Sequence, residues 1–101
     1  MTACTAWLRF ASDHPALAGH FPQQPIVPGA LLLDEALHAI ELSSAATGSH
    51  WHIANVKFHR PVRADEPLRL DCAPQPGGAL RLEIRAADAL VLSASVERRT
   101  A

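Results

Sequence analysis

The sequence predicts a small α+β domain in which one apolar helix lies at the centre and an antiparallel β-sheet wraps around it. Three observations lead there. From Gly29 or Ala30 to about Ala46, apolar residues recur at helical spacing over an unusually wide arc. From Leu68 to Val96, three segments alternate apolar and polar residues with period two, separated by turn chemistry. Between the first strand and the helix runs an arm too rich in proline for either element. At 101 residues the chain has room for one small core, so residues 1–101 read as a single domain.

Taken in order, residues 4–11 (CTAWLRFA) read as a strand of imperfect alternation, and Ser12-Asp13-His14-Pro15 is turn chemistry. Residues 16–28 form a loop with extended pieces. In the helix, Leu32, Leu33, Ala36, Leu37, Ala39 and Ile40 cover the apolar arc, Asp34, His38 and Glu41 share the opposite stripe, and Glu35 lies off it. Thr47-Gly48-Ser49 ends the run. Residues 51–58 (WHIANVKF) form a strand with Ile53 and Val56 out of phase, which suggests a bulge or a buried run. Pro61 and Pro67 frame a break at 62–66. Strands follow at 68–72, 80–84 and 90–97, with turns at 74–78 (PQPGG) and 86–89 (AADA).

Composition narrows the function. A net charge of −1 with no basic run argues against nonspecific nucleic-acid binding. Apolar stretches fall short of the roughly 20 residues a spanning helix needs, and the N-terminus lacks the pattern of a signal peptide. A cytoplasmic protein is the expectation. An apolar content of 49% hints at surface buried against a second subunit. Cys4 and Cys72 show neither metal-ligand spacing nor a disulfide framework and read as small buried hydrophobes on strands. His14, His50, His52 and His59 make no metal-ligand pattern beyond the strand-adjacent His50 and His52, so no metal is expected.

The stretch chosen for chemistry is 19–38, GHFPQQPIVPGALLLDEALH. Pro22, Pro25 and Pro28 stiffen the arm that carries His20. Gly29 opens the helix and lets another group approach its unsatisfied N–H groups, which suit an oxygen gaining negative charge. Asp34 follows five residues on. A positioned imidazole, a helix N-terminus and a carboxyl are the parts needed to remove a proton beside a carbonyl.

This stretch resembles the signature of the hot-dog-fold 3-hydroxyacyl-acyl carrier protein dehydratases, roughly G-H-F-P-x-x-P-[IV]-x-P-G-x-L-x-x-[DE]. Gly19, His20, Phe21, Pro22, Pro25, Ile26, Pro28, Gly29, Leu31 and Asp34 fall in register, and the fourteen-residue step from His20 to Asp34 matches the family's catalytic pair. A looser block, KFHRPVRADEPL (57–68), resembles K-F-x-R-P-V-x-P-G-D-x-L and departs from it at Ala64, Asp65 and Glu66. One strand, one buried helix and a run of antiparallel strands is also the hot-dog arrangement. Family members typically carry a further N-terminal helix and strand; here the chain starts almost at the strand before GHFP, which strengthens the expectation of a dimer.

The resemblance implies roles. His20 is the catalytic base, its ordinary pKa of about 6.5 suited to neutral-pH work, with its other ring nitrogen held by the Ile26 carbonyl; a structural histidine would only cap a turn. Asp34 is the acid that helps the hydroxyl leave, which requires burial in an apolar tunnel to stay protonated; otherwise it is a solvated residue. The Gly29 N–H is the oxyanion contact. Phe21 either lines the acyl tunnel or staples onto the helix. His38 stands where members commonly carry glutamine, and it either bonds Asp34 or is solvated. Arg60 and Arg63 either receive the acidic surface of acyl carrier protein or are simply exposed.

The reading is a dehydratase that converts a 3-hydroxyacyl thioester on acyl carrier protein to the trans-2-enoyl thioester without metal or other cofactor, in fatty-acid-like, polyketide-like or polyene lipid synthesis. A homodimer, or a heterodimer with a related chain, is implied. The alternatives are a hot-dog acyl thioesterase, against which the proline-framed histidine argues, and a non-catalytic acyl-binding subunit of a heteromeric dehydratase.

Overall fold

The computed structural model describes residues 4–10, 26–44 and 49–100 of the chain. Strands β1 (Cys4–Leu8) and β2 (Ile26–Val27) precede helix α1 (Gly29–Ser44). Strands β3 (Ser49–Phe58), β4 (Val62–Arg63), β5 (Leu68–Pro74), β6 (Ala79–Ala86) and β7 (Ala89–Thr100) follow. Five strands form one antiparallel sheet in the order β1-β5-β6-β7-β3, while β2 and β4 pair as a two-stranded ribbon. The expected α+β architecture of one helix against an antiparallel sheet is what the chain adopts.

The core lies between the inner sheet face and α1. Leu32, Ala36 and Ile40, spaced by four, are the fully buried line of the helix, flanked by half-buried Leu33, Leu37 and Ala39. They join Leu70, Leu82, Ile84, Leu92, Ala94 and Val96 in one cluster. The period-two segments explain this: Leu68, Leu70 and Cys72 of β5 and Leu80, Leu82, Ile84 and Ala86 of β6 all point inward. Their neighbours point outward and pair along each strand, Arg69 with Asp71 and Arg85 with Glu83, both at 3.0 Å. Such half-exposed pairs add little to stability and mainly keep this face wet.

The differences from the sequence reading have local causes. The helix stops at Ser44 rather than at residue 46. The break expected at 62–66 contains a strand, because Val62 and Arg63 pair with Val27 and Ile26; the turn itself is at Ala64-Asp65, where Asp65 adopts φ 65°. The suspected bulge in β3 is present, at the register shift between Ile53 and Asn55. A second shift, opposite Ile84/Arg85, removes Val91 from the alternation and buries it although its phase points outward. The largest correction concerns the cysteines. Cys4 and Cys72 lie on strands as expected, but they stand opposite each other in the β1–β5 register, 5.1 Å apart at Cα, and are joined as a disulfide. Their separation of 68 residues hid a pairing that only strand register creates. The turn expected at 12–15 and the Thr47-Gly48 breaker lie outside the described residues.

Candidate active site

Helix α1 begins where the Pro28 carbonyl accepts the N–H groups of Leu31 (3.0 Å) and Leu32 (3.2 Å), leaving the first N–H groups of the helix at its open end. Gly29 is the first helical residue, and the Phe58 ring from the end of β3 lies against it. A Cβ at position 29 would come within 2.5 Å of Phe58 Cε1. Close approach of the ring, rather than an unusual φ, is what favours glycine here. Replacing Gly29 with alanine is expected to push the ring aside. Because Phe58 is 52% exposed it has room to swing, so the cost is set at about 1 kcal/mol, a drop of a few degrees in melting temperature. Thermal unfolding of the variant measures it.

Beside this contact a cleft of about 550 Å³ opens between the start of α1 and residues 58–62. Val27, Leu32, Phe58 and Val62 make its wall apolar, within the size range of small-molecule sites. Phe58 was not singled out in the sequence. The only hint was its place in the KFHRP block, and its contact with Gly29 is long-range.

Asp34 is exposed, in the second turn of α1 on the face turned away from the sheet. His38 is exposed one turn further on the same face, and no hydrogen bond joins the two side chains. Glu41 leaves that stripe: its Oε1 accepts the Trp51 Nε1–H at 2.7 Å, tying the second half of the helix to β3. Ile26 is described through its backbone only, paired with Arg63. His20 and Phe21 lie outside the described residues.

Arg60 lines the cleft, but its guanidinium is committed to Glu66 Oε2. Its Nε is buried with no hydrogen-bond partner among the described residues. Glu66 Oε1 also accepts the Arg63 N–H at 3.2 Å, closing the turn. Burial pushes the Glu66 carboxyl up, yet the Arg60 hydrogen bond, the Arg63 N–H and both positive charges outweigh it and hold the group below its ordinary value of 4.5. A carboxyl lowered in the folded state contributes stability above its unfolded value and loses it as pH falls through the folded one. Melting temperature is thus expected to fall on acidification below about pH 4.5, and Glu66→Gln should flatten that part of the curve. Arg63 is exposed.

His59 Nε2 and the buried Ser93 Oγ are 3.0 Å apart on the outer sheet face. No group of three potential metal ligands occurs among the described residues, and no described helix is long and apolar enough to cross a membrane.

The family model for ApeI dehydratase, of the ApeI-like group, matches residues 1–95. The chain belongs to the ApeI-like dehydratase family. Among the curated relatives of this ApeI-like chain is the 3-hydroxyacyl-[acyl-carrier-protein] dehydratase FabZ of Alkalilimnicola ehrlichii, 32% identical over 71 residues, covering 60% of this chain and 46% of the relative. The chain spans about half the length of the curated relatives it matches. Its fold is similar to the dehydratase heterocomplex ApeI:P from Xenorhabdus doucetiae, with a TM-score of 0.81 and 22% identity, covering 96% of this chain and 87% of that one. A probable thioesterase from Bartonella henselae shares the fold at a TM-score of 0.64 and 11% identity, covering 99% and 92%. The hot-dog fold and the dehydratase family expected from residues 19–38 and 57–68 are thereby borne out.

Proposed function

We propose that this ApeI-like chain eliminates water from a 3-hydroxyacyl thioester carried on acyl carrier protein, giving the trans-2-enoyl thioester. His20 removes the C2 proton, the thioester oxygen gains negative charge against the Gly29 N–H, and Asp34 gives a proton to the departing hydroxyl, which leaves as water. The thioester acidifies the C2 proton, so the reaction draws on no metal or redox group. The observation that carries the reading is the family match over residues 1–95, which includes both candidate groups.

Asp34 faces outward on an uncovered side of α1. Proton transfer to a departing hydroxyl is favoured where bulk water is excluded, so we place the site between two subunits, with His20 of one facing Asp34 of the other. The edge strand β3 and its half-exposed Ile53 and Phe58 offer a surface for that pairing. Arg63 is left as the better steering charge for an acidic carrier protein, since Arg60 is held by Glu66.

Mass spectrometry of the purified chain incubated with a panel of 3-hydroxyacyl carrier-protein thioesters tests the reading. Loss of water from the acyl group is expected. Release of free 3-hydroxy acid instead would make the chain a thioesterase.

A second reading is favoured by one neighbour, the heteromeric dehydratase ApeI:P, and by His38 in place of the usual glutamine. In it the chain is one subunit of a mixed dehydratase and is inactive alone. Activity that appears only when a related hot-dog partner is added would select it.

A further inference from the structure

The two cysteines of the chain are bonded across an edge of the sheet, and neither has a part in the chemistry proposed above. We propose that Cys4–Cys72 is a reversible redox latch, a thiol–disulfide site that fastens edge strand β1 when oxidised and frees its N-terminal end when reduced.

Position carries the argument. Among the described residues β1 has one neighbour in the main sheet, β5, and the ladder between them is the one the disulfide reinforces. Cys4 is the first residue of that strand and is half-buried, while Cys72 beneath it is 3% exposed. The end of an edge strand opens at a much lower free energy than the central strands of a sheet. A small thiol therefore reaches the Cys4 sulfur by local fraying, with the core under α1 intact.

What the bond encloses makes it consequential. The closed loop contains α1 and strands β2, β3 and β4, so while the bond stands the first strand cannot separate from β5. The reduced form has what it needs to stay folded. The register from Thr5 to Leu8 continues without the sulfur bridge, Thr5 Oγ1 donates to Asp71 Oδ1 at 3.0 Å, and a Cys72 thiol remains a small apolar side chain in the core. Reduction loosens β1 and leaves the fold standing. β1 packs on α1, the helix that carries Asp34 on its other face, and the latch stands independently of any catalytic reading.

The chemistry is ordinary exchange. One thiolate of a dithiol reductant attacks a sulfur of the pair, breaking the Cys4–Cys72 bond and forming a mixed disulfide. The reductant's second thiolate displaces the remaining sulfur, so two electrons leave the reductant and the protein gains two thiols. A small disulfide such as oxidised glutathione reverses this and departs as two thiols.

The test uses the full chain, native, with and without dithiothreitol. Maleimide labelling and intact mass should find no free thiol after air oxidation and two after native reduction. Reduction should lower the melting temperature by about 10 °C or more and speed amide exchange in residues 5–8 while helical circular dichroism persists. Oxidised glutathione should restore both. Cys4→Ser should behave as the reduced protein and ignore reductant; if it fails to fold, the reversibly reduced wild type serves the same comparison. Two free thiols in the air-oxidised protein, a bond that yields only in denaturant, or equal melting and exchange in both forms would each overturn the latch.

Discussion

Replacing Asp34 with asparagine is expected to lower turnover of a 3-hydroxyacyl thioester by about a thousandfold, within the range for removing a general acid, with melting unchanged. Asp34 is exposed and lies outside the hydrophobic core, so its replacement by an isosteric amide leaves the packing unchanged. Asn keeps the shape and removes the transferable proton; glutamate, which retains it, should restore part of the rate. Single-turnover assays with thermal unfolding as a control measure both. The same variant tests the two-subunit site. Co-refolded with His20→Ala, half the pairs are mixed and each mixed pair holds one intact site of two, so about a quarter of wild-type activity should return. No recovery would mean that acid and base act within one chain.

Leu82→Ala is expected to cost about 3 kcal/mol, the cost typical of emptying a buried leucine site. Leu82 is fully buried at the middle of the central strand β6, opposite Cys72 on one side and Ala94 on the other. Both of those cross-strand partners are small, so neither can fill the space. In a domain of this size the loss corresponds to a fall of about 12–24 °C in melting temperature. Thermal unfolding followed by circular dichroism checks it. A fall under about 5 °C would show that the site relaxes and that the sheet–helix layer is looser than close packing allows.

Much of the fold was legible because short-range periods encode it. The three-strand meander follows from Leu68/Leu70/Cys72, Leu80/Leu82/Ile84 and Leu92/Ala94/Val96, each set alternating with polar neighbours. The helix follows from Leu32, Ala36 and Ile40 at spacing four. Where the local period was broken, the reading failed or stayed open: the alternation of the last strand does not foretell that a bulge buries Val91, and Val62-Arg63 was read as a break although it pairs with residues 26–27. Of the site, Gly29 at the helix start and Asp34 on the outward stripe were placed by spacing alone. Glu41, put on the same stripe, instead bonds Trp51, because a helix of sixteen residues turns through more than one environment.

The sequence by itself determined the class of the domain, the helix that carries Asp34 and the family whose proline-framed signature surrounds His20, since each is written in spacings of a few residues. Only the tertiary structure decided that Phe58 lies on Gly29, that Arg60 is spent on Glu66 and that Cys4 meets Cys72. Phe58 and Cys72 reach their partners through strand register and sheet twist, quantities set by the whole sheet at once. The Arg60–Glu66 pair forms because the turn at Ala64-Asp65 folds the chain back on itself. No local pattern of residues encodes where two distant strands come to rest against each other.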